Sequence, residues 1–105
     1  MKERVLKMKA EILKALAQPT RLKILESLRN GEKCICEICP LINGEQSNVS
    51  RHISLMQKNH LVTTRKDGVR VMVNVTNPKV FEILDKVSAI LKHQMKEQEK
   101  LLSQI

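Results

Sequence analysis

The chain has 105 residues, 42% of them hydrophobic and 29% charged, with a net charge of +8; this bounds it to one folding unit and excludes a large enzyme, a disordered tract and a fibre. Phe81 is the sole aromatic residue, so the core is built from Leu, Ile, Val and Met, apolar area is limited, and a dimer is expected to add stability. The positive charge points to a polyanionic partner, although a membrane surface or simple solubility would use the same balance.

Val5, Met8, Ile12 and Leu16 recur at helical spacing, and residues 1–17 read as an amphipathic helix. Lys2, Arg4, Lys7, Lys9 and Lys14 interrupt its apolar residues. A signal peptide is therefore not expected, no run reaches the ~18 to 20 apolar residues of a membrane span, and a cytoplasmic location follows. Gln18-Pro19 ends this helix, and Pro19 opens a second, because the N–H it lacks would have no partner in a first turn. Leu22, Leu25 and Leu28 form the second stripe, which stops at Asn30-Gly31. Ile35, Ile38 and Ile42 share one face of a short third helix closed by the Asn43-Gly44 turn.

From Ser47 onward, steps of about 100° put Val49, Ile53 and Met56 on one side and Ser47, Ser50, Arg51, Ser54 and Lys58 on the other. Val62 to Lys66 and Val69 to Val75 are β-prone runs separated by Asp67-Gly68, a dipeptide that favours a type I′ hairpin. After Asn77-Pro78 a last helix carries Val80, Leu84, Val87 and Leu91 in a stripe that resumes at Leu101 and Ile105. The mixed charges after Gln94 read as a solvated face.

This order predicts a mainly α fold with a β-hairpin wing, a winged helix-turn-helix over residues 1–105. Residues 35–58 form the helix-turn-helix and residues 61–76 the wing. Ser47, Asn48, Ser50 and Ser54 are small hydrogen-bonding residues on the groove-facing side of the second of these helices, and Arg51 suits guanine edges or phosphate. Lys58, Arg65, Lys66 and Arg70 would add salt-dependent affinity for duplex operator DNA. His52, at the edge of the apolar face, fits packing or a phosphate contact better than base reading.

Ala17-Gln18-Pro19-Thr20-Arg21-Leu22-Lys23-Ile24-Leu25, Val49-Ser50-Arg51-His52-Ile53-Ser54-Leu55-Met56 and Gly68 to Val75 together resemble the second-helix entry, recognition helix and wing of the ArsR/SmtB family of metalloregulatory repressors. The likeness covers about Leu13 to Thr76. It implies a homodimer held by the terminal helices, residues 1–17 and 78–105, which carry the stripes read above.

Cys34, Cys36 and Cys39 form a C-x-C-x-x-C run, an odd count that suits thiol chemistry in a reducing compartment better than a disulfide scaffold. Soft sulfurs select thiophilic ions, and three without an obvious fourth ligand suit a trigonal one. The run resembles the third-helix site of arsenic-sensing members, which implies As(III) or Sb(III) as an inducer held by Cys34, Cys36 and Cys39, with no cofactor required for DNA binding. Members that sense Cd(II) or Pb(II) add an N-terminal cysteine, absent from Met1 to Lys33, and the zinc pattern of the last helix is not matched by Asp85, His93 and Glu97. In a regular helix Cys36 and Cys39 share a face while Cys34 projects away. Ligation is therefore expected to distort the start of this helix and displace the recognition helix. Pro40 is expected within the first turn, leaving the cysteine run partly in a loop.

Two other functions fit the same thiols. A reversible Cys36–Cys39 disulfide would make a redox-sensing repressor. A small thiol oxidoreductase fits less well, because no strand is expected before the cysteines and His52, His60 and His93 lack an orienting partner.

Overall fold

A computed structural model describes residues 2–105. Its elements run α1 (Glu3–Leu16), α2 (Pro19–Ser27), β1 (Lys33–Cys34), α3 (Ile35–Ile42), α4 (Gln46–Lys58), β2 (Val62–Asp67), β3 (Arg70–Val75) and α5 (Lys79–Ser103). The three strands form an antiparallel sheet in the order β1-β3-β2. This is the winged helix-turn-helix expected from the sequence: α3 and α4 are the helix-turn-helix, and the β2–β3 hairpin is the wing.

Local chemistry accounts for the boundaries. Pro19 stands at the first position of α2, and the Gln18 side chain accepts from the Arg21 amide at 3.0 Å, replacing a partner that the first turn cannot supply. Asn43 adopts the left-handed conformation that ends α3, and the Gly44 amide donates to the Cys39 carbonyl at 2.9 Å. Gly44 itself has no positive φ. It is required because an added Cβ would lie 2.8 Å from Val49 Cγ2.

The core gathers Ile24, Leu25 and Leu28 of α2 and its cap, Ile38 of α3, Val49, Ile53 and Met56 of α4, Val62 and Val73 of the sheet, and Val80 and Leu84 of α5. The faces expected for α4 are those observed. The α2 stripe differs, since Leu22 is exposed and Ile24 is buried in its place. α5 is fastened to α2 by Arg29, which donates to Asp85 at 3.0 Å, pairs with Glu26 and lies over the Phe81 ring at 5.1 Å.

Three further features depart from the sequence reading. A two-residue strand, β1, does precede the cysteine helix, but it pairs antiparallel with β3 (Lys33 opposite Val73, Cys34 opposite Met72), so no parallel βαβ unit arises. Pro40 lies in the second turn of α3, where it forfeits the bond its amide would have made to the Cys36 carbonyl. The tolerance reflects a helix of only eight residues, held by its cap and by Ile38 in the core. The wing turns through Gly68-Val69, since Asp67 pairs with Arg70 and Gly68 alone has positive φ, the pattern of a type II′ turn in place of the expected type I′.

Of α1 only Ala15 and Leu16 are buried, while Val5, Met8, Ile12 and Leu13 are exposed; along α5, Val87, Ile90, Leu91, Met95, Leu101 and Leu102 are exposed. Among the described residues no helix is long and apolar enough to cross a membrane.

Candidate nucleic-acid interface and thiol site

α4 presents the expected polar side. Val49, Ile53 and Met56 anchor it in the core, which turns Ser47, Arg51, Ser54 and Lys58 outward as exposed residues, with Asn48, Ser50 and His52 half-buried beside them. Ser47 donates to Glu45 at the helix entry, and the Arg51 guanidinium donates to Asn48 one turn back. That contact presents Arg51 in a fixed posture on the outer face. A two-pronged cation on a rigid helix is what groove or phosphate recognition requires.

His52 is held differently. Its Nδ1 lies 3.4 Å from the Arg21 guanidinium of α2, and Arg21 also reaches the Lys14 carbonyl of α1. Burial, followed by the nearby charges of Arg21 and Arg51, pushes the His52 ring below its usual pKa. The sequence does not single out Arg21 as a structural joint between α1, α2 and α4. An arginine in a basic chain carries no such signal by itself, and its Nε is buried without a hydrogen-bond partner among the described residues.

This arrangement predicts acid sensitivity. A histidine with a folded-state pKa below its unfolded value contributes fully above about pH 6.5 and loses that contribution as pH falls through the folded value, because the unfolded chain takes up the proton first. Urea denaturation between pH 7.5 and 5 is expected to show a smaller stability loss for His52→Gln than for the unmodified chain. Identical pH slopes would remove His52 as the responsible group.

The wing residues divide. Lys66 is exposed, whereas Arg65 donates to both Glu32 carboxylate oxygens, at 2.6 and 3.0 Å, and Arg70 donates to Glu37 at 2.8 Å. The Arg65 hydrogen bonds hold the Glu32 carboxyl below the ordinary carboxylate range. Two wing cations expected to meet DNA therefore rest against acidic residues of the segment around β1 and α3. Periodicity does not reveal these partners, because β1 brings together groups 33 residues apart.

The thiols are arranged otherwise than a regular helix would place them. Cys34 is the last residue of β1 and the N-cap of α3, and its sulfur accepts from the Cys36 amide at 3.0 Å. Glu37 reciprocates by accepting from the Cys34 amide at 2.9 Å. The cap folds the Cys34 side chain back over the first turn instead of projecting it away. Cys34, 2% exposed, is joined to the exposed Cys36 as a disulfide, and Cys39 is free and half-buried. The pairing is thus Cys34–Cys36, not the Cys36–Cys39 pair expected for a redox switch. Among the described residues no group of three or more His, Cys, Asp or Glu side chains is arranged to hold a metal ion. Asp85, weighed for a zinc site, is engaged by Arg29.

Comparison with known proteins agrees with this architecture. The model of the bacterial regulatory protein arsR family matches residues 18–64. An uncharacterized HTH-type transcriptional regulator of Methanocaldococcus jannaschii is 35% identical over 82 residues, covering 77% of this chain and 92% of that protein. The chain belongs to the ArsR family.

Other proteins resemble this ArsR-family regulator across most of its length. The arsenical resistance operon repressor of Staphylococcus xylosus is 38% identical over 77 residues, 73% of this chain and 70% of that one. In structure, Rv0081 from Mycobacterium tuberculosis superposes with a TM-score of 0.81 at 28% identity, covering 92% of this chain and 98% of that one. A homodimeric winged helix-turn-helix DNA-binding domain from Mycobacterium bovis shares the fold, with a TM-score of 0.79 at 23% identity over 92% and 93% of the two chains. The protein is a transcriptional regulator with a DNA-binding winged helix-turn-helix. Its family and relatives are transcriptional regulators, not enzymes.

Proposed function

We propose that this chain is a cytoplasmic, homodimeric transcriptional repressor that releases its operator when As(III) or Sb(III) is held by reduced Cys34, Cys36 and Cys39. The observation that carries the reading is the position of the sulfurs at the entrance to α3, the helix joined to α4 by a turn only three residues long. In that place a thiol reaction has mechanical access to the DNA-reading helix. The arsenical resistance names of relatives from Staphylococcus xylosus and Staphylococcus aureus, 38% and 34% identical, support the choice of ion.

The donor chemistry fits. Hydrated As(III) exchanges its three As–OH bonds for three As–S bonds, with each thiol proton leaving in a water molecule. The positive end of α3 favours negative charge on a sulfur in its first turn. The Cys34–Cys36 bond must be reduced first, and drawing the Cys34 sulfur toward Cys39 would strain the α3 cap, which provides the distortion that would move α4.

DNA recognition would use Ser47, Asn48, Ser50, Arg51, His52, Ser54 and Lys58 of α4 with Arg65, Lys66 and Arg70 of the wing. A second copy covering the exposed apolar faces of α1 and α5 would set two recognition helices about one DNA turn apart. Fluorescence anisotropy of the reduced protein on promoter DNA, titrated with arsenite, tests the reading. Release is expected to raise the apparent Kd by about 5- to 150-fold, the range of a typical coupling energy, and Cys39→Ser is expected to abolish that rise. Equal release in Cys39→Ser, or none in the unmodified protein, would refute the three-sulfur site.

A second reading rests on the observed disulfide. Oxidation of Cys34 and Cys36 removes two electrons and two protons, accepted by a disulfide or peroxide oxidant, and would leave Cys39 unused. DNA release by oxidised dithiothreitol that persists in Cys39→Ser would favour this redox signal over the ion.

A further inference from the structure

We infer that Glu37 is a positioning residue that transmits the state of the cysteine segment to the wing. The inference deepens the thiol-gated reading above, adding a route to DNA that does not pass through α4. One carboxylate oxygen carries it: Glu37 Oε1 accepts both from the Cys34 amide at 2.9 Å and from the Arg70 guanidinium at 2.8 Å. The sheet reinforces the link, since Cys34 and Arg65 lie opposite Met72 on its two sides. Glu32, two residues before Cys34, grips Arg65 through both its oxygens. Acidic residues on either side of Cys34 thus hold the two wing arginines expected to meet phosphate.

The direction of the effect follows from sharing. While the α3 cap is intact, Glu37 Oε1 divides its accepting capacity between an amide and a guanidinium. If Cys34 is drawn out of the cap, its amide leaves and the carboxylate charge falls to Arg70 alone. The guanidinium is then held more firmly against α3 and is less available to DNA. Effector and operator oppose each other through the wing, in the same sense as a displacement of α4.

The test combines arginine side-chain NMR with anisotropy on the reduced protein, using arsenite as the probe. The Arg70 Nε–Hε resonance is expected to move when arsenite is added. In Glu37→Gln, arsenite uptake should persist while the arsenite-induced rise in Kd shrinks by about threefold to fivefold, the scale of one exposed ion pair. Without arsenite this variant should bind DNA more tightly than Glu99→Gln, which makes the same charge change far along α5. Arg70→Gln should lower the salt slope of binding by about 1, and adding Glu37→Gln to it should change nothing further, because the two act through one contact.

An Arg70 resonance that arsenite leaves unmoved while it releases DNA, or additive effects of the two substitutions, would overturn the relay and leave the arsenic reading in place. Arsenite that leaves DNA binding intact would refute the arsenic reading, and tighter binding by Glu37→Gln that vanishes in the Arg70→Gln background would then still keep the Glu37–Arg70 contact as a control on the wing. Should Glu37→Gln fail to fold, the resonance in the unmodified protein and the Arg70→Gln salt slope still decide.

Discussion

Ile38→Ala is expected to lower the free energy of unfolding by about 2–5 kcal/mol, the loss usual for a fully buried isoleucine whose cavity cannot collapse. Ile38 is 0% exposed and is the one residue of α3 that is fully buried. It lies between Cys36 and Cys39, so it seats the cysteine segment on Ile24, Leu25, Val49 and the rest of the core. Ile35, Cys39 and Ile42 pack only partly buried beside it, and α3 is otherwise eight residues with an internal proline and a single reciprocal cap. Helices this short are not stable on their own propensity. Urea unfolding at fixed protein concentration should show a lower midpoint with an unchanged m-value, and Ile38→Val should cost only about 0.5–1.5 kcal/mol. A loss below about 1 kcal/mol in Ile38→Ala would mean that α3 is not sealed against the core.

Gly44→Ala is expected to destabilise by about 1–3 kcal/mol and to weaken operator binding, because the added methyl overpacks the turn between α3 and α4. Its Cβ would lie 2.8 Å from Val49 Cγ2 and 3.2 Å from Ile42 Cγ1. Val49 cannot yield easily, being fully buried and nearly locked at χ1 as a β-branched helical residue. The backbone of α4 must shift instead, carrying Arg51 with it. The sign is decisive, since at an open site with ordinary φ the same change would stabilise by about 0.4–1 kcal/mol through the unfolded chain. Val49→Ala in the same chain should relieve the clash, visible as a favourable coupling in a double-mutant cycle of urea midpoints and operator Kd. A stabilised Gly44→Ala protein with unchanged operator affinity would refute this account of the turn.

Much of the fold is legible in the sequence because apolar spacing reports directly on which face of a helix is buried. Val49, Ile53 and Met56 recur at helical intervals and are the three buried residues of α4, so spacing alone marks its opposite side as the polar, outward face. Pro19, Asn43-Gly44 and Asp67-Gly68 mark helix and hairpin boundaries because backbone restrictions act locally. β1 is not legible, since two residues carry no alternation and its strand character comes from pairing with β3. Leu22 and Ile24 exchange roles for a similar reason: both are apolar, and only the packing of α2 against its neighbours selects which is covered.

The thiol site shows the same division. The C-x-C-x-x-C spacing identifies three sulfurs capable of joint chemistry, but an ideal helix places Cys34 on the wrong side. Where α3 begins determines whether Cys34 is a helical residue or a cap, and the reciprocal bonds with Glu37 and the Cys36 amide set that beginning. By itself the sequence determined the family, the winged helix-turn-helix order, the polar side of α4 and the clustering of three thiols, because these depend on residue type and short-range period. Only the tertiary structure decided that Cys34 pairs with Cys36, that Arg21 meets His52, and that Glu32 and Glu37 hold the wing arginines. Those contacts join residues distant in the chain or depend on how a helix end is capped, and neither leaves a periodic trace in the sequence.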